Sequence, residues 1–135
     1  MRVRPLLLAL IIIVLSLFLI SCQQEPVTIE SITISRDIGE DSAPVDPTNE
    51  FTSGTSIIYI SVKIENMTPE DKLTVTWIYL ETGSEINTTY FSPDEKGSGY
   101  IGFNLKVGQS LPNGDYNALV YLNDELYETM EFLVK

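Results

Sequence analysis

Residues 73–80 read Leu73-Thr74-Val75-Thr76-Trp77-Ile78-Tyr79-Leu80, and this stretch decides the fold class. In an extended chain successive side chains point to opposite faces, so Leu73, Val75 and Trp77 share one side. Thr74, Thr76 and Ile78 take the other. The β-branched and aromatic content suits a pleated, half-buried surface. Working outward, residues 56–65 put Ile58, Ile60, Val62 and Ile64 on one face. Residues 100–106 do the same with Ile101, Phe103 and Leu105, and residues 116–122 with Tyr116, Ala118, Val120 and Leu122. Residues 126–134 follow with Met130, Phe132 and Val134. Residues 27–34 and the shorter, more polar 85–91 complete the set.

The breaks between these runs are turn chemistry: Glu81-Thr82-Gly83-Ser84, residues 93–98, Pro112-Asn113-Gly114-Asp115 and Asn123-Asp124. Gly and Asn tolerate positive φ, and Pro presets φ near −65°. Residues 37–49, DIGEDSAPVDPTN, read as an acidic loop with two prolines. No stretch carries a sustained helical period. Seven strands, each with one apolar face, predict an all-β, seven-stranded sandwich of two antiparallel sheets. The sequence shows no internal repeat and no low-complexity segment.

Here the chain resembles the immunoglobulin-like superfamily. Trp77 stands mid-way along the third strand, where such domains hold a core tryptophan, and Gly114-Asp115-Tyr116 is similar to a tyrosine corner. Two residues beyond Tyr116, where an antibody domain has its second cysteine, stands Ala118. The resemblance therefore implies an immunoglobulin-like β-sandwich without disulfide, held by burial alone as in fibronectin-III-like and bacterial surface relatives. A broader pattern runs through Phe51, Ile58-Tyr59, Trp77-Ile78-Tyr79, Gly99-Tyr100-Ile101, Phe103, Leu111-Pro112-Asn113-Gly114-Asp115-Tyr116, Val120-Tyr121-Leu122 and Phe132. It resembles domains of prokaryotic lipoproteins and surface proteins, an uncharacterised group.

Upstream of the strands the chain reads as an address. Arg2 and Arg4 form a basic tip, residues 5–20 are apolar without a charge, and Leu19-Ile20-Ser21-Cys22 closes the run. This is the order of a secretory signal. The apolar stretch is about 16 residues, short of the roughly 20 that span a bilayer. Gln23-Gln24-Glu25 follows in place of a basic stop-transfer flank, which argues against the alternative of an uncleaved membrane helix. Leu19-Ile20-Ser21-Cys22 resembles the lipobox of bacterial lipoproteins. That resemblance implies cleavage before Cys22, a diacylglyceryl thioether on its sulfur and a further acyl chain on the new N-terminus. One chain alone holds a protein only marginally, so two or more are needed for anchoring. The expected organisation is a signal peptide over 1–21, a lipidated tether over 22–26 and the sandwich over 27–135. The expected location is extracytoplasmic, lipid-anchored to the cell membrane, and to the outer membrane in a diderm cell, since Gln23 rather than Asp follows the cysteine.

With the signal removed, about 114 residues remain, enough for one modest core. Arg2 and Arg4 leave with it, so six bases face 19 acids and the net charge is about −13. Such a charge repels nucleic acid and anionic headgroups, so no nucleic-acid partner is expected. It serves solubility or an acidic docking surface.

The chain has no histidine, and Cys22 is its one cysteine. Zinc sites and Ser-His-Asp or Cys-His catalysis need residues that are missing. Carboxylate pairs of the glycosidase kind remain conceivable, but the acids are scattered over loops and outward positions. The expectation is a non-enzyme with no catalytic residue, metal or cofactor. Asp37, Glu40, Asp41 and Asp46 crowd one loop, either as a calcium-holding loop without EF-hand spacing or as plain solvated charge. Asn66-Met67-Thr68 and Asn87-Thr88-Thr89 match the N-glycosylation pattern, which in a bacterial lipoprotein is a chance match.

Alternation also nominates an outward face. With Trp77, Tyr116 and Ala118 inward, Ile78, Leu80, Leu119, Tyr121, Tyr127 and Leu133 point out, from three strands that immunoglobulin-like topology sets side by side. Contiguous exposed apolar area of that kind marks partner sites, and Tyr is a favoured hot-spot residue. The stripe is expected to serve a protein partner or a homodimer, unless the 37–49 loop or a register bulge covers it. Tyr121 and Tyr127 alternatively offer stacking platforms to an envelope glycan, and a passive spacer is the remaining reading.

Overall fold

A computed structural model of the protein describes residues 24–135. The signal segment, Cys22 and the start of the tether lie outside the described residues. Nine strands follow in order: β1 Thr28–Ile38, β2 Pro44–Pro47, β3 Glu50–Phe51, β4 Ile57–Met67, β5 Leu73–Tyr79, β6 Ser84–Phe91, β7 Gly97–Lys106, β8 Gly114–Leu122 and β9 Glu125–Val134. They form a four-stranded sheet, β2-β1-β4-β7, and a five-stranded sheet, β3-β9-β8-β5-β6. Every pairing is antiparallel except β3 on β9.

The expected seven strands are all present, and the two additions lie at the acidic loop. β1 runs on to Ile38, the chain turns with Gly39 N–H donating to the Ala43 carbonyl at 2.9 Å, and β2 returns with Asp37 opposite Val45. Pro44 and Pro47 argued for a loop because proline lacks a ladder donor. Both stand on an edge strand, where the outer side needs no donor. β3 is two residues long, too short for any alternation to show. It carries the chain from one sheet to the other, with Leu133 N–H donating to the Asn49 carbonyl and Lys135 N–H to that of Phe51, both at 2.9 Å.

Most of the core falls at inward positions that period two assigns, and Phe51, Met67 and Leu111 join it from outside those runs. Ile58, Ile60, Val62 and Ile64 of β4 meet Leu73, Val75 and Trp77 of β5 and Tyr116, Ala118 and Val120 of β8, all at most 1% exposed. Phe132 of β9 gathers the aromatics. Its ring lies parallel to that of Tyr116 at 5.0 Å and meets Phe51 and Trp77 edge-on at 5.9 Å each. Stacked and edge-to-face pairs add to the area they bury.

Candidate interaction surface

Cross-strand partners in a sheet share a face, so the ladder registers lay out the solvent side of the five-stranded sheet. One row crosses four strands as Tyr90, Thr74, Tyr121 and Leu126. The next is Thr88, Thr76, Leu119 and Thr129, with the Thr76 and Thr88 hydroxyls 2.9 Å apart. Behind it come Glu85, Ile78, Asn117 and Glu131, and then Asp115 beside Leu133, which pairs with Glu50. Leu80 follows the end of β5, its N–H donating to the Asp115 carbonyl at 2.9 Å.

Ile78, Leu119 and Tyr121 thus sit together as a half-buried strip across β5 and β8. Leu80 and Leu133 lie further along the same face. They floor an open depression of about 480 Å³ rimmed by Glu50, Glu81, Asp115 and Glu131. Tyr90, 69% exposed, and Leu126, 55% exposed, extend the strip at its other end.

Tyr127, expected beside Tyr121, is 51% exposed but stands out of register with it. A bulge between Val120 and Tyr121 of the β8–β9 ladder pairs Val120 with Glu128 but Tyr121 with Leu126, leaving Tyr127 unpaired. One extra residue reverses every side chain beyond it. Leu126 therefore takes the outward place, while the Tyr127 hydroxyl donates to the Ile29 carbonyl of the opposite sheet at 3.2 Å. Leu126 escaped the sequence reading because a bulge has no signature in alternation. Tyr90 escaped it although β6 does alternate, since only the β5–β6 register puts that strand beside the stripe.

The acidic loop lies elsewhere. Its turn packs on the outer side of the four-stranded sheet, where Ser61 Oγ donates to the Ser42 carbonyl at 2.7 Å. A Cβ on Gly102 would come within 2.8 Å of Ile38 Cδ1, so the small residue makes the seat. The stripe is left uncovered by this segment. The loop's carboxylates shape the chain itself. Asp37 accepts from Ile38 N–H at 2.8 Å, Asp41 from Ala43 N–H at 3.0 Å, and Asp46 pairs with Arg36 at 3.2 Å. Among the described residues no three or more His, Cys, Asp or Glu side chains converge in a way that could hold a metal. Lys63, outward on the four-stranded sheet, pairs with Glu30 at 3.1 Å, and this hydrogen bond and charge raise its pKa.

An immunoglobulin-like protein of Pseudomonas aeruginosa superposes with a TM-score of 0.59 at 14% identity, over 84% of this chain and 99% of its own. The fold is immunoglobulin-like. Two looser matches are the CARDB domain of a Pyrococcus furiosus protein, in complex with di-metal ions, and the Pseudomonas fluorescens alkylpurine DNA glycosylase AlkC bound to DNA. The first has a TM-score of 0.44 at 14% identity, covering 85% of this chain and 98% of that one. The second has 0.49 at 16%, covering 81% of this chain and 30% of that one. No protein-family model matches the chain, and no curated protein does.

Proposed function

We propose that the protein is a non-catalytic surface lipoprotein, held to a membrane through lipid on Cys22, that presents the outer face of its five-stranded sheet to a partner protein. The observation that carries the reading is the run of Tyr90, Tyr121 and Leu126 in one cross-strand row, with Leu119 and Ile78 behind it. Solvent-facing sheets ordinarily alternate to polar residues, and a patch of this kind is typical of partner sites. Tyr and Leu form the apolar strip, and the carboxylates of Glu131, Asp115, Glu81 and Glu50 lie at its Leu80–Leu133 end. The partner therefore offers an apolar patch flanked by Lys or Arg, an arrangement that speeds encounter and fixes orientation. Anchoring rests on the lipobox-like Leu19-Ile20-Ser21-Cys22 and on the need for more than one acyl chain to hold a protein at a bilayer.

The test is photo-crosslinking in cells, with the probe at Tyr121 and a control at Lys63 on the opposite sheet. A discrete protein adduct from Tyr121 alone is the expected result. No adduct at either position overturns the protein-partner reading and leaves a glycan ligand or a passive spacer. For the glycan reading, Tyr121 and Tyr127 no longer share one face, since the Tyr127 hydroxyl reaches the Ile29 carbonyl of the other sheet.

A further inference from the structure

The chain just after Cys22 lies on the domain rather than leading away from it. Residues 24–27 line a shallow depression of about 300 Å³ with Asn66, Thr68 and Asp71, and Asn66 Nδ2 donates to Glu25 Oε2 at 3.2 Å. Cys22 stands two residues before Gln24, and two residues span at most about 7 Å. A lipid on that sulfur therefore holds the turn between β4 and β5 close to the headgroups. The β6–β7 turn is fixed beside it, since Ser98 Oγ accepts from Asn66 N–H at 2.9 Å. The β8–β9 turn joins them. Asn123 Oδ1 accepts from Lys72 N–H, and Asn123 Nδ2 donates to Asp71, both at 2.8 Å. Apolar surface collects at this same end. Exposed Phe91 lines a cavity of about 170 Å³ with Met67, Pro93 and Ser98. Exposed Tyr127 is held near the start of β1 by its bond to Ile29 O.

We infer that this end of the sandwich is a membrane-contact surface, seated on the bilayer that holds Cys22. The contact depends on the lipid anchor proposed for that cysteine. Chain length selects the occupant, because two residues are too few to let the domain stand off. Phe91 and Tyr127 then lie at headgroup depth, where aromatic rings are favoured. The turns select the kind of lipid. Glu70, Asp94, Glu95 and Asp124 outnumber Lys72 and Lys96, so the surface suits zwitterionic headgroups and is repelled by anionic ones. From this end the seven residues of β5 lead about 20 Å along the sheet to Leu80. The five-stranded sheet therefore stands up from the bilayer, and its acidic depression is presented at the far end. A partner of the face meets that depression away from the anchoring membrane.

The test puts a thiol-reactive fluorophore on the chain as cells process it, extracted in detergent and reconstituted in phosphatidylcholine vesicles whose headgroups carry a nitroxide quencher. Cys22 is the one native cysteine, so a lipidated wild-type chain offers no thiol. A wild-type chain that takes the label overturns the anchor, and the contact with it. Fluorophores at Phe91→Cys and at Asp94→Cys, an exposed turn position, are expected to be quenched several-fold more than those at Thr82→Cys and Gln109→Cys. The last two positions share a depression at the far end. Equal quenching at the two ends, or stronger quenching at Thr82→Cys, overturns the contact and leaves the anchor standing. Adding phosphatidylglycerol at low salt is expected to weaken quenching at Asp94→Cys, and salt to restore it. Quenching that rises with the anionic lipid overturns the zwitterionic assignment. Circular dichroism of each variant checks that the sandwich is intact.

Discussion

Tyr79 and Tyr116, neighbours across β5 and β8, hold the same turn by two adjacent carbonyls. Their ring centroids are 4.8 Å apart. The Tyr79 hydroxyl donates to Asn113 O at 2.6 Å, and that of Tyr116 to Pro112 O. Gly114 makes this possible, with φ at 141° and Tyr79 Cε2 only 2.9 Å from where a Cβ would stand. The corner read from Gly114-Asp115-Tyr116 is therefore a double one.

Removing either hydroxyl leaves a carbonyl short of a donor. Tyr116→Phe should cost about 1–2 kcal/mol and Tyr79→Phe less, because water can replace the outer donor more easily. The double variant should depart from the sum, since both bonds order one turn. Urea denaturation of the four chains checks this, and strict additivity would refute a shared turn.

The same corner predicts alkaline sensitivity. Burial, with a smaller contribution from Tyr79, pushes the Tyr116 phenol up to about 12, against about 10 in an unfolded chain. Between those values the folded chain keeps a proton that the unfolded chain has lost, so stability falls as pH rises through the window and is unaffected below it. Tyr116→Phe should flatten this part of a urea-midpoint profile. At the acid end, burial tends to raise the Asp71 pKa, but hydrogen bonds from Asn123 and Thr68 outweigh it and hold the group low. Its contribution is present above the ordinary carboxylate range and lost as pH falls, a loss that Asp71→Asn should remove from the profile.

Phe132 touches the rings of Phe51, Trp77 and Tyr116. Phe132→Ala should destabilise by about 3–5 kcal/mol and Phe132→Leu by less, as the cavity left is smaller. Thermal unfolding measures both. Equal, small losses would mean the aromatic cluster is not the centre of the core.

The bulge on β9 separates Leu126 from Tyr127. A crosslinking probe at Leu126 should give the same adduct as one at Tyr121, whereas a probe at Tyr127 should give none. Equivalent adducts at both would contradict the register that turns Tyr127 to Ile29 O.

For the anchor, Cys22→Ala should abolish incorporation of labelled palmitate and the processing that follows it. Unchanged labelling would rule out lipid on that sulfur.

Much of the sandwich was legible in single residues. Ile58, Ile60, Val62 and Ile64 could share a buried face only as a strand, and Gly114-Asp115-Tyr116 named its own corner. The 37–49 segment was not legible in this way. Its prolines look like loop residues until a neighbouring strand shows that their missing donors face outward. The outward stripe was legible as far as alternation holds, through Ile78, Leu119 and Tyr121. It failed at Tyr127, where one extra residue changes the phase.

By itself the sequence determined which side chains share a face, where the chain turns, and that no histidine or second cysteine is available for chemistry. These follow from period two and local φ preferences, which act within a few residues. Only the tertiary structure decided the register of β9 on β8, the seat of the acidic hairpin over Ser61 and Gly102, and the placing of Glu25 beside Asn66. Each depends on which strand lies alongside, and that pairing is made between residues far apart in the chain.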